Sequence, residues 1–269
     1  MKSLSSKELV AAIRERQEQA VVALRRQGYA QPRLAIISTL DHAASSVYMR
    51  KKKQYGESLG IAVDIHRIAQ DKASALLMQL NDDPAVHGII IQLPLERPEE
   101  TDALIAAIAP HKDVDGLGPE ALFEPATPLA ILWLIAGHDI DLHGKKVLLI
   151  GRGKLVGAPL ERMLQADNVD VTVATRQTLD LKAETLKADV IITATGKAGI
   201  VTPDMVRPGT VIVDAGVAGE GGKTVGDVAS EVYERDDLII TPPKGGVGPL
   251  TVCALFENTI RACEAAGNQ

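Results

Sequence analysis

Short apolar segments alternate with helix-like segments along almost the whole chain. In the helix-like segments, apolar residues recur every three or four positions, which is the spacing of one helix face. The segments that we expect to be strands are Leu34–Thr39, Ala62–Ile68, Gly88–Leu93, Lys146–Ile150, Val169–Ala174, Val190–Thr193, Thr210–Asp214 and Ile239–Thr241. Strands that alternate with helices are typical of parallel sheets covered by helices. The pattern therefore predicts an α/β fold.

The alternation is interrupted by the loop Pro110–Pro128, so we expect two lobes that share a cleft. The first, a three-layer parallel α/β domain, is predicted over residues 1–125. The second, a Rossmann-like dinucleotide-binding domain, is predicted over 126–247. The C-terminal segment 248–269 is expected to return to the first lobe as a helix.

Composition excludes several classes of protein. The net charge of −6 offers no basic surface for nucleic acid. No apolar run approaches the roughly 20 residues that span a bilayer, and charges interrupt the N-terminal segment, so a membrane protein and a signal peptide are not expected. The two cysteines, Cys253 and Cys263, lack metal-ligand spacing. We therefore expect a cytoplasmic protein with no disulfide and no metal site.

A glycine-rich turn follows the strand Lys146–Ile150. Its sequence, GRGKLVG over residues 151–157, has glycines at Gly151, Gly153 and Gly157. Glycines between a strand and a helix let the backbone approach a pyrophosphate at the helix N-terminus. Glycine also makes tight strand–helix connections that bind nothing, but two further strand–helix units beyond this turn favour a dinucleotide site.

The next strand of that lobe indicates which nucleotide binds. NAD sites usually carry Asp or Glu at the end of this strand, to hold the ribose hydroxyls. Here the strand is followed by Thr175, Arg176 and Gln177, with no acid. Arg176 and Arg152 could instead bind a 2′-phosphate, which favours NADP over NAD. The alternative is that Arg176 is an ordinary exposed loop residue.

Lys52 stands out among four consecutive basic residues. On a helix from Ser45 to Leu59, Tyr48, Lys52, Tyr55 and Leu59 lie within an arc of about 60° at 100° per residue. A lysine on such an apolar and aromatic face is partly desolvated, which lowers its pKa and suits it to proton transfer. The alternative is that its stem lies along the face and its ammonium reaches water.

Two polar segments follow strands of the first lobe. Gln92 ends the strand that begins at Gly88, and Lys112-Asp-Val-Asp-Gly116 lies at the next such loop. Ligands of open parallel sheets bind outside the carboxyl ends of strands. Gln92 is thus placed to meet a ligand or to cap backbone groups. The two acids could form a turn or hold an amide-rich ring.

Six segments in this order resemble the bifunctional methylenetetrahydrofolate dehydrogenase/cyclohydrolase family. They are Ser45-x-x-Tyr48-x-x-x-Lys52, Gly88-Ile-Ile-Ile-Gln92-Leu-Pro-Leu, Lys112-Asp-Val-Asp-Gly116, Pro125-x-Thr-Pro128, Gly151-Arg152-x-x-x-Val156-Gly157-x-Pro159 and Gly245-Gly-Val-Gly-Pro-Leu-Thr251. The resemblance implies oxidation of 5,10-methylenetetrahydrofolate with NADP and hydrolysis of the methenyl product to 10-formyltetrahydrofolate. It also implies a homodimer.

The resemblance assigns roles to individual residues. Lys52 would be the acid/base of the cyclohydrolase step, with Tyr48 orienting the folate and Gln92 bonding Lys52. The folate site is completed by Asp115, Gly246, Pro249 and Leu250. The cofactor site would consist of Gly151, Arg152, Gly153, Val156, Gly157, Arg176 and Thr195.

The chain departs from the family pattern mainly on the cofactor side. Gly153 replaces a usual serine, Thr175-Arg176-Gln177 replaces a His-Ser-Lys run, and the segment Leu117–Pro125 is shortened. Two rival functions are a two-lobe dehydrogenase for another substrate, such as shikimate, and a folate- or nucleotide-binding relative that has lost turnover. The first does not predict the segments at 112–116 and 245–251. A protein that only binds folate or a nucleotide has little need of Lys52 paired with the amide of Gln92.

Overall fold

The computed structural model describes residues 2–40, 43–220 and 223–267. Its strands are β1 (Lys2–Ser3), β2 (Arg33–Ser38), β3 (Ala62–Arg67), β4 (Gly88–Ile91), β5 (Val147–Ile150), β6 (Val171–Ala174), β7 (Val190–Thr193), β8 (Val211–Asp214), β9 (Ala218–Glu220), β10 (Lys223–Val225) and β11 (Ile239–Ile240). Its helices are α1 (Lys7–Arg26), α2 (Ala43–Leu59), α3 (Ala73–Asp82), α4 (Thr101–Ala106), α5 (Ala126–Gly137), α6 (Gly157–Ala166), α7 (Leu181–Thr185) and α8 (Val247–Gly267).

The chain divides into two compact units, each assembled from separate parts of the sequence. One contains residues 11–126 and 252–269, and the other contains residues 1–10 and 127–251. The C-terminal helix therefore returns to the unit of the first lobe, as predicted. Residues 1–10 differ from the predicted division, because β1 pairs with β11 and so belongs to the sheet of the second lobe.

The unit of residues 11–126 contains a three-stranded parallel sheet in the order β3-β2-β4. The central strand β2 is apolar along its length, and its residues from Leu34 to Ser38 are all buried. Such continuous burial is expected of a parallel strand covered on both faces. On one face, Ile37, Ile89 and Ile91 pack with Leu77 of α3 and Leu104 of α4. The carboxyl ends of the three strands consequently lie at one edge.

The unit of residues 127–251 contains a six-stranded parallel sheet in the order β1-β11-β8-β7-β5-β6. The four residues of β5 and the four of β7 are all buried. From β5 the chain continues to β6 on one side and then crosses to β7 on the other. The carboxyl ends of β5 and β7 therefore flank the position at which the strand order reverses, where doubly wound sheets bind ligands.

The α/β class with parallel sheets is confirmed, and several boundaries differ from the prediction. Strand β2 covers Arg33–Ser38 where Leu34–Thr39 was predicted, and β6 covers Val171–Ala174 where Val169–Ala174 was predicted. The antiparallel hairpin of β9 and β10 was not predicted. Its strands have three residues each, which is too short for an alternating pattern to be recognised. No helix in the described part of the chain is long and apolar enough to cross a membrane.

Candidate active site

Lys52 lies on α2 and bonds to the end of strand β4. Its Nζ donates to Oε1 of Gln92 at 3.2 Å. The Nε2 of Gln92 donates to the carbonyl of Leu93 at 2.8 Å, which fixes the amide so that its oxygen faces the lysine. Gln92 therefore bonds Lys52 and also caps strand-end backbone, while its contact with a ligand stays a prediction.

Asp115 is the acidic group that acts on Lys52. Burial lowers the pKa of Lys52, and the negative charge of Asp115 opposes this effect. Burial likewise raises the pKa of Asp115, and the positive charge of Lys52 opposes it. Burial thus favours the neutral form of each group, which suits Lys52 to accept a proton. A lysine whose ammonium merely reached into water would not show this desolvation.

The two tyrosines on the same face of α2 as Lys52 have different surroundings. Tyr48 is 40% exposed, with the Lys51 ammonium 6.0 Å from its ring centre. Tyr55 instead contacts α1 and α8: its hydroxyl donates to Oε1 of Gln17 at 2.8 Å and lies 3.2 Å from Sγ of Cys253. Tyr48 is therefore free to stack on a ligand, whereas Tyr55 holds the helix in place.

The two acids of the segment 112–116 have different environments. Asp113 is buried, and its carboxylate accepts the N–H groups of Gly116 at 3.0 Å and Gly118 at 2.6 Å. It therefore forms the turn, while Asp115 is the acid whose charge acts on Lys52. The Lys112 ammonium donates to three backbone carbonyls at the end of α3, those of Leu80, Asn81 and Asp83.

The glycine-rich turn connects β5 to α6 in the other unit. Gly151 has a φ of +101°, which favours glycine, and a Cβ there would lie 2.7 Å from the carbonyl oxygen of Ala194. A Cβ on Gly157 would overlap the carbonyl of Gly151. Val156 immediately precedes α6, and no side chain of the described residues caps the helix there. The turn thus fits a dinucleotide pyrophosphate, because bare backbone lies at a helix N-terminus.

The predicted phosphate-binding arginines are both exposed. The Nε of Arg152 donates to Oε2 of Glu161 at 2.6 Å. Arg176 lies in the loop after β6, where the Thr175 N–H donates to Oγ1 of Thr178 at 2.9 Å. Both arginines belong to loops that follow adjacent strands, β5 and β6. Their binding of a 2′-phosphate remains a prediction.

The remaining predicted residues lie in the unit of residues 127–251. Thr195 is in the loop after β7, while Gly246, Pro249 and Leu250 are at the start of α8. Leu250 is fully buried and Pro249 is exposed. Their assignment to the folate site stays a prediction. Among residues 2–40, 43–220 and 223–267, no three His, Cys, Asp or Glu side chains are grouped to hold a metal ion.

Family models match both parts of the chain. Residues 4–115 match the catalytic domain of tetrahydrofolate dehydrogenase/cyclohydrolase. Residues 125–267 match the NAD(P)-binding domain of the same enzymes. The chain belongs to the tetrahydrofolate dehydrogenase/cyclohydrolase family. The resemblance seen in the six sequence segments is therefore confirmed.

Individual members of the family resemble the chain over nearly its full length. The bifunctional protein FolD of Heliobacterium modesticaldum is 40% identical over 279 residues, covering 98% of this chain and 96% of that protein. The crystal structure of the bifunctional enzyme FolD from Campylobacter jejuni has a TM-score of 0.90 at 36% identity, covering 98% and 99% of the two chains. The Trypanosoma brucei enzyme, solved with NADP cofactor and an inhibitor, has a TM-score of 0.91 at 26% identity, covering 99% and 98%.

The sequence interpretation gave no site role to two buried polar residues of this chain, Asn258 and Asp227. Asn258 of α8 is fully buried and donates to the carbonyls of Val114 and Glu124, at 2.9 and 3.0 Å, on either side of Asp115. Asp227 is fully buried beside the loop of Thr195. The available signal for Asn258 was its position as a polar residue in an apolar helix. Asp227 follows the unpredicted hairpin, and no motif marked it.

Proposed function

We propose that the protein oxidises 5,10-methylenetetrahydrofolate to 5,10-methenyltetrahydrofolate with NADP, and hydrolyses that product to 10-formyltetrahydrofolate. The observation that carries this proposal is the Lys52–Gln92–Asp115 cluster, in a family member that also has a glycine-rich turn suited to a dinucleotide. The pKa directions of Lys52 and Asp115 support acid/base work, because burial favours the neutral form of each group.

The oxidation needs orientation more than acid or base. When bound, NADP⁺ accepts the hydride of the methylene carbon, which leaves the methenyl cation. The exposed ring of Tyr48 offers a flat surface for the pterin, and Asp115 offers a carboxylate to its amide-like edge. These contacts would fix the orientation of the folate, which hydride transfer requires.

The hydrolysis uses Lys52 directly. A neutral Lys52 accepts a proton from the water that attacks the methenyl carbon. The resulting ammonium gives a proton to N5 as the bond between that carbon and N5 breaks. The remaining hydroxyl proton leaves to solvent as the formyl carbonyl forms, which gives 10-formyltetrahydrofolate and one released proton. Gln92 bonds the Lys52 Nζ and so directs it during both transfers. One water is consumed, and Lys52 ends in its starting form.

The experiment that tests this function combines two assays on the purified protein. With methylenetetrahydrofolate and NADP⁺, absorbance from the methenyl product and NADPH should rise; added methenyltetrahydrofolate should decay faster than in buffer. Lys52→Met should lower the second activity by at least about 10²-fold, the usual contribution of a general acid/base, and leave part of the first. Lys53→Met is the matched control, because Lys53 donates to the carbonyl of Val63 instead.

The absence of both activities in the wild type would refute the proposal. Equal loss of both activities in Lys52→Met, at normal thermal stability, would contradict the role given to Lys52. We further propose that the protein acts in the cytoplasm as a homodimer. The family resemblance supports the dimer, and two free, buried cysteines suit a reducing compartment.

A further inference from the structure

Asp227 places a carboxylate inside the unit of residues 127–251, directly beside the loop after β7. Its side chain is fully buried, and its Oδ2 accepts the N–H of Thr195 at 2.6 Å. Its Oδ1 accepts no hydrogen bond from any described residue and packs against Gly216, where an added Cβ would overlap it. Burial of a carboxylate with one unpartnered oxygen is costly, so packing alone does not explain this residue.

The loop that Asp227 holds borders the expected nucleotide site. Thr195 follows β7, and the glycine-rich turn follows β5, the neighbouring strand. A Cβ on Gly151 would lie 3.0 Å from Cγ2 of Thr195, so this side chain packs against the first glycine of the turn. These two loops flank the reversal of strand order, where a dinucleotide lies in sheets of this type. The position of Thr195 therefore sets one wall of that site.

A second acid, the partly buried Asp214, fixes Asp227 to the sheet. Asp214, the last residue of β8, accepts the Asp227 N–H at 3.0 Å and the Thr193 hydroxyl at 3.0 Å on Oδ1. Its Oδ2 accepts the Val228 N–H at 3.0 Å and the Tyr233 hydroxyl at 2.9 Å. A continuous set of hydrogen bonds thus runs from β8 through Asp214 and Asp227 to the Thr195 loop.

We propose that Asp227 is a positioning residue for the nucleotide: its carboxylate holds the Thr195 backbone so that the loop after β7 and the glycine-rich turn receive the dinucleotide between them. This inference rests on the proposed function for the identity of the ligand. Asp227 does not touch the nucleotide and acts only through Thr195. The loop also has its own internal turn: Oγ1 of Thr195 accepts the Lys197 N–H at 3.0 Å, and Gly196 has a φ of +65°.

Two variants disturb this contact by different routes. Asp227→Asn keeps the shape and removes the charge that strengthens the bond to Thr195. Gly216→Ala leaves Asp227 unchanged but displaces its carboxylate, because the new methyl group overlaps Oδ1. The matched control is Asp189→Asn. Asp189 also accepts a backbone N–H, that of Lys146 at 3.0 Å, but it lies just before β7, at the opposite end of the strand.

NADPH affinity, measured by its fluorescence on the full chain, reports the contact without any turnover. Both variants should bind NADPH about tenfold more weakly, with a matching rise in KM for NADP⁺ and a smaller change in kcat. Cyclohydrolase activity without nucleotide should stay near wild type in both variants. Thermal melting should stay near wild type in Asp227→Asn, whereas the overlap in Gly216→Ala should lower its melting temperature. The double variant should bind no more weakly than the worse single variant, because both act on one contact. Asp189→Asn should bind as the wild type does.

Normal NADPH affinity in either variant would overturn the positioning role, including the case in which Asp227→Asn does not fold but Gly216→Ala binds normally. So would equal losses in kcat and in cyclohydrolase activity, since they indicate general damage. A different result would refute the proposed function. A wild type that binds NADPH and does not oxidise methylenetetrahydrofolate would refute the function and leave the role of Asp227 intact.

Discussion

Lys52 and Asp115 influence each other through charge, and this makes the pH dependence of hydrolysis a test at the scale of single residues. The negative charge of Asp115 keeps the pKa of Lys52 higher than burial alone would. Removing it in Asp115→Asn lowers that pKa further, so neutral Lys52 is present at lower pH. The rising limb of kcat for hydrolysis should therefore move to lower pH. Gln92→Glu adds a negative charge beside Nζ and should move the limb to higher pH.

Both shifts are measured from kcat against pH at saturating methenyltetrahydrofolate, which separates them from changes in substrate affinity. Asp64→Asn is a suitable control, because Asp64 lies on β3 and pairs with Arg33 at 3.6 Å. Equal profiles in all four proteins would mean that the observed limb belongs to a group other than Lys52.

The same residues show what sequence reasoning can and cannot resolve. Helical phase selected Lys52 from four adjacent basic residues, because the phase depends only on local spacing. Spacing could not distinguish the role of Asp113 from that of Asp115. Asp113 closes a turn and Asp115 interacts with Lys52 through charge, and only the folded loop shows this difference. Asp227 could not be found at all, since its partner Thr195 lies 32 residues earlier.

At the scale of elements, the strands of the two sheets other than β1, and the helices that cover them, followed from apolar periodicity. The glycine turn followed from its place between β5 and α6. The individual glycines, however, are not equivalent. A Cβ on Gly157 would overlap the carbonyl of Gly151, whereas a Cβ on Gly153 would meet only the Ala194 oxygen, at 4.0 Å. The turn therefore needs glycine at Gly151 and Gly157 in order to pack, and does not need it at Gly153.

This difference in packing predicts that alanine is destabilising at Gly157 and tolerated at Gly153. Gly157→Ala should move α6 away from the turn, lower the free energy of unfolding by about 1–3 kcal/mol, and weaken NADPH binding. Gly153→Ala should leave unfolding within about 0.5 kcal/mol of wild type, as expected of an open position. Urea unfolding and NADPH fluorescence measure the two effects. Equal loss of stability in both variants would show that backbone freedom at Gly153, and not close packing, limits the turn.

At the scale of the whole molecule, the unit of residues 11–126 is completed by the last helix of the chain. The Phe256 ring is fully buried, lies 5.5 Å from that of Tyr55, and packs so closely on Gly56 that a Cβ there would overlap it. The sequence indicated an apolar closing helix. It could not indicate this contact, because the fit depends on the bare backbone of Gly56, 200 residues away in the sequence.

Phe256→Ala should consequently destabilise this unit by about 3–5 kcal/mol, the usual cost of removing a buried aromatic ring. Glu264→Ala, at an exposed position of the same helix, should change the free energy of unfolding by less than about 0.5 kcal/mol. Because Tyr55 is on the helix that carries Lys52, hydrolysis in Phe256→Ala should also be lost at a lower temperature than NADPH binding. Urea unfolding and the temperature dependence of the two signals test this order. Simultaneous loss of both signals would show that the two units unfold as one.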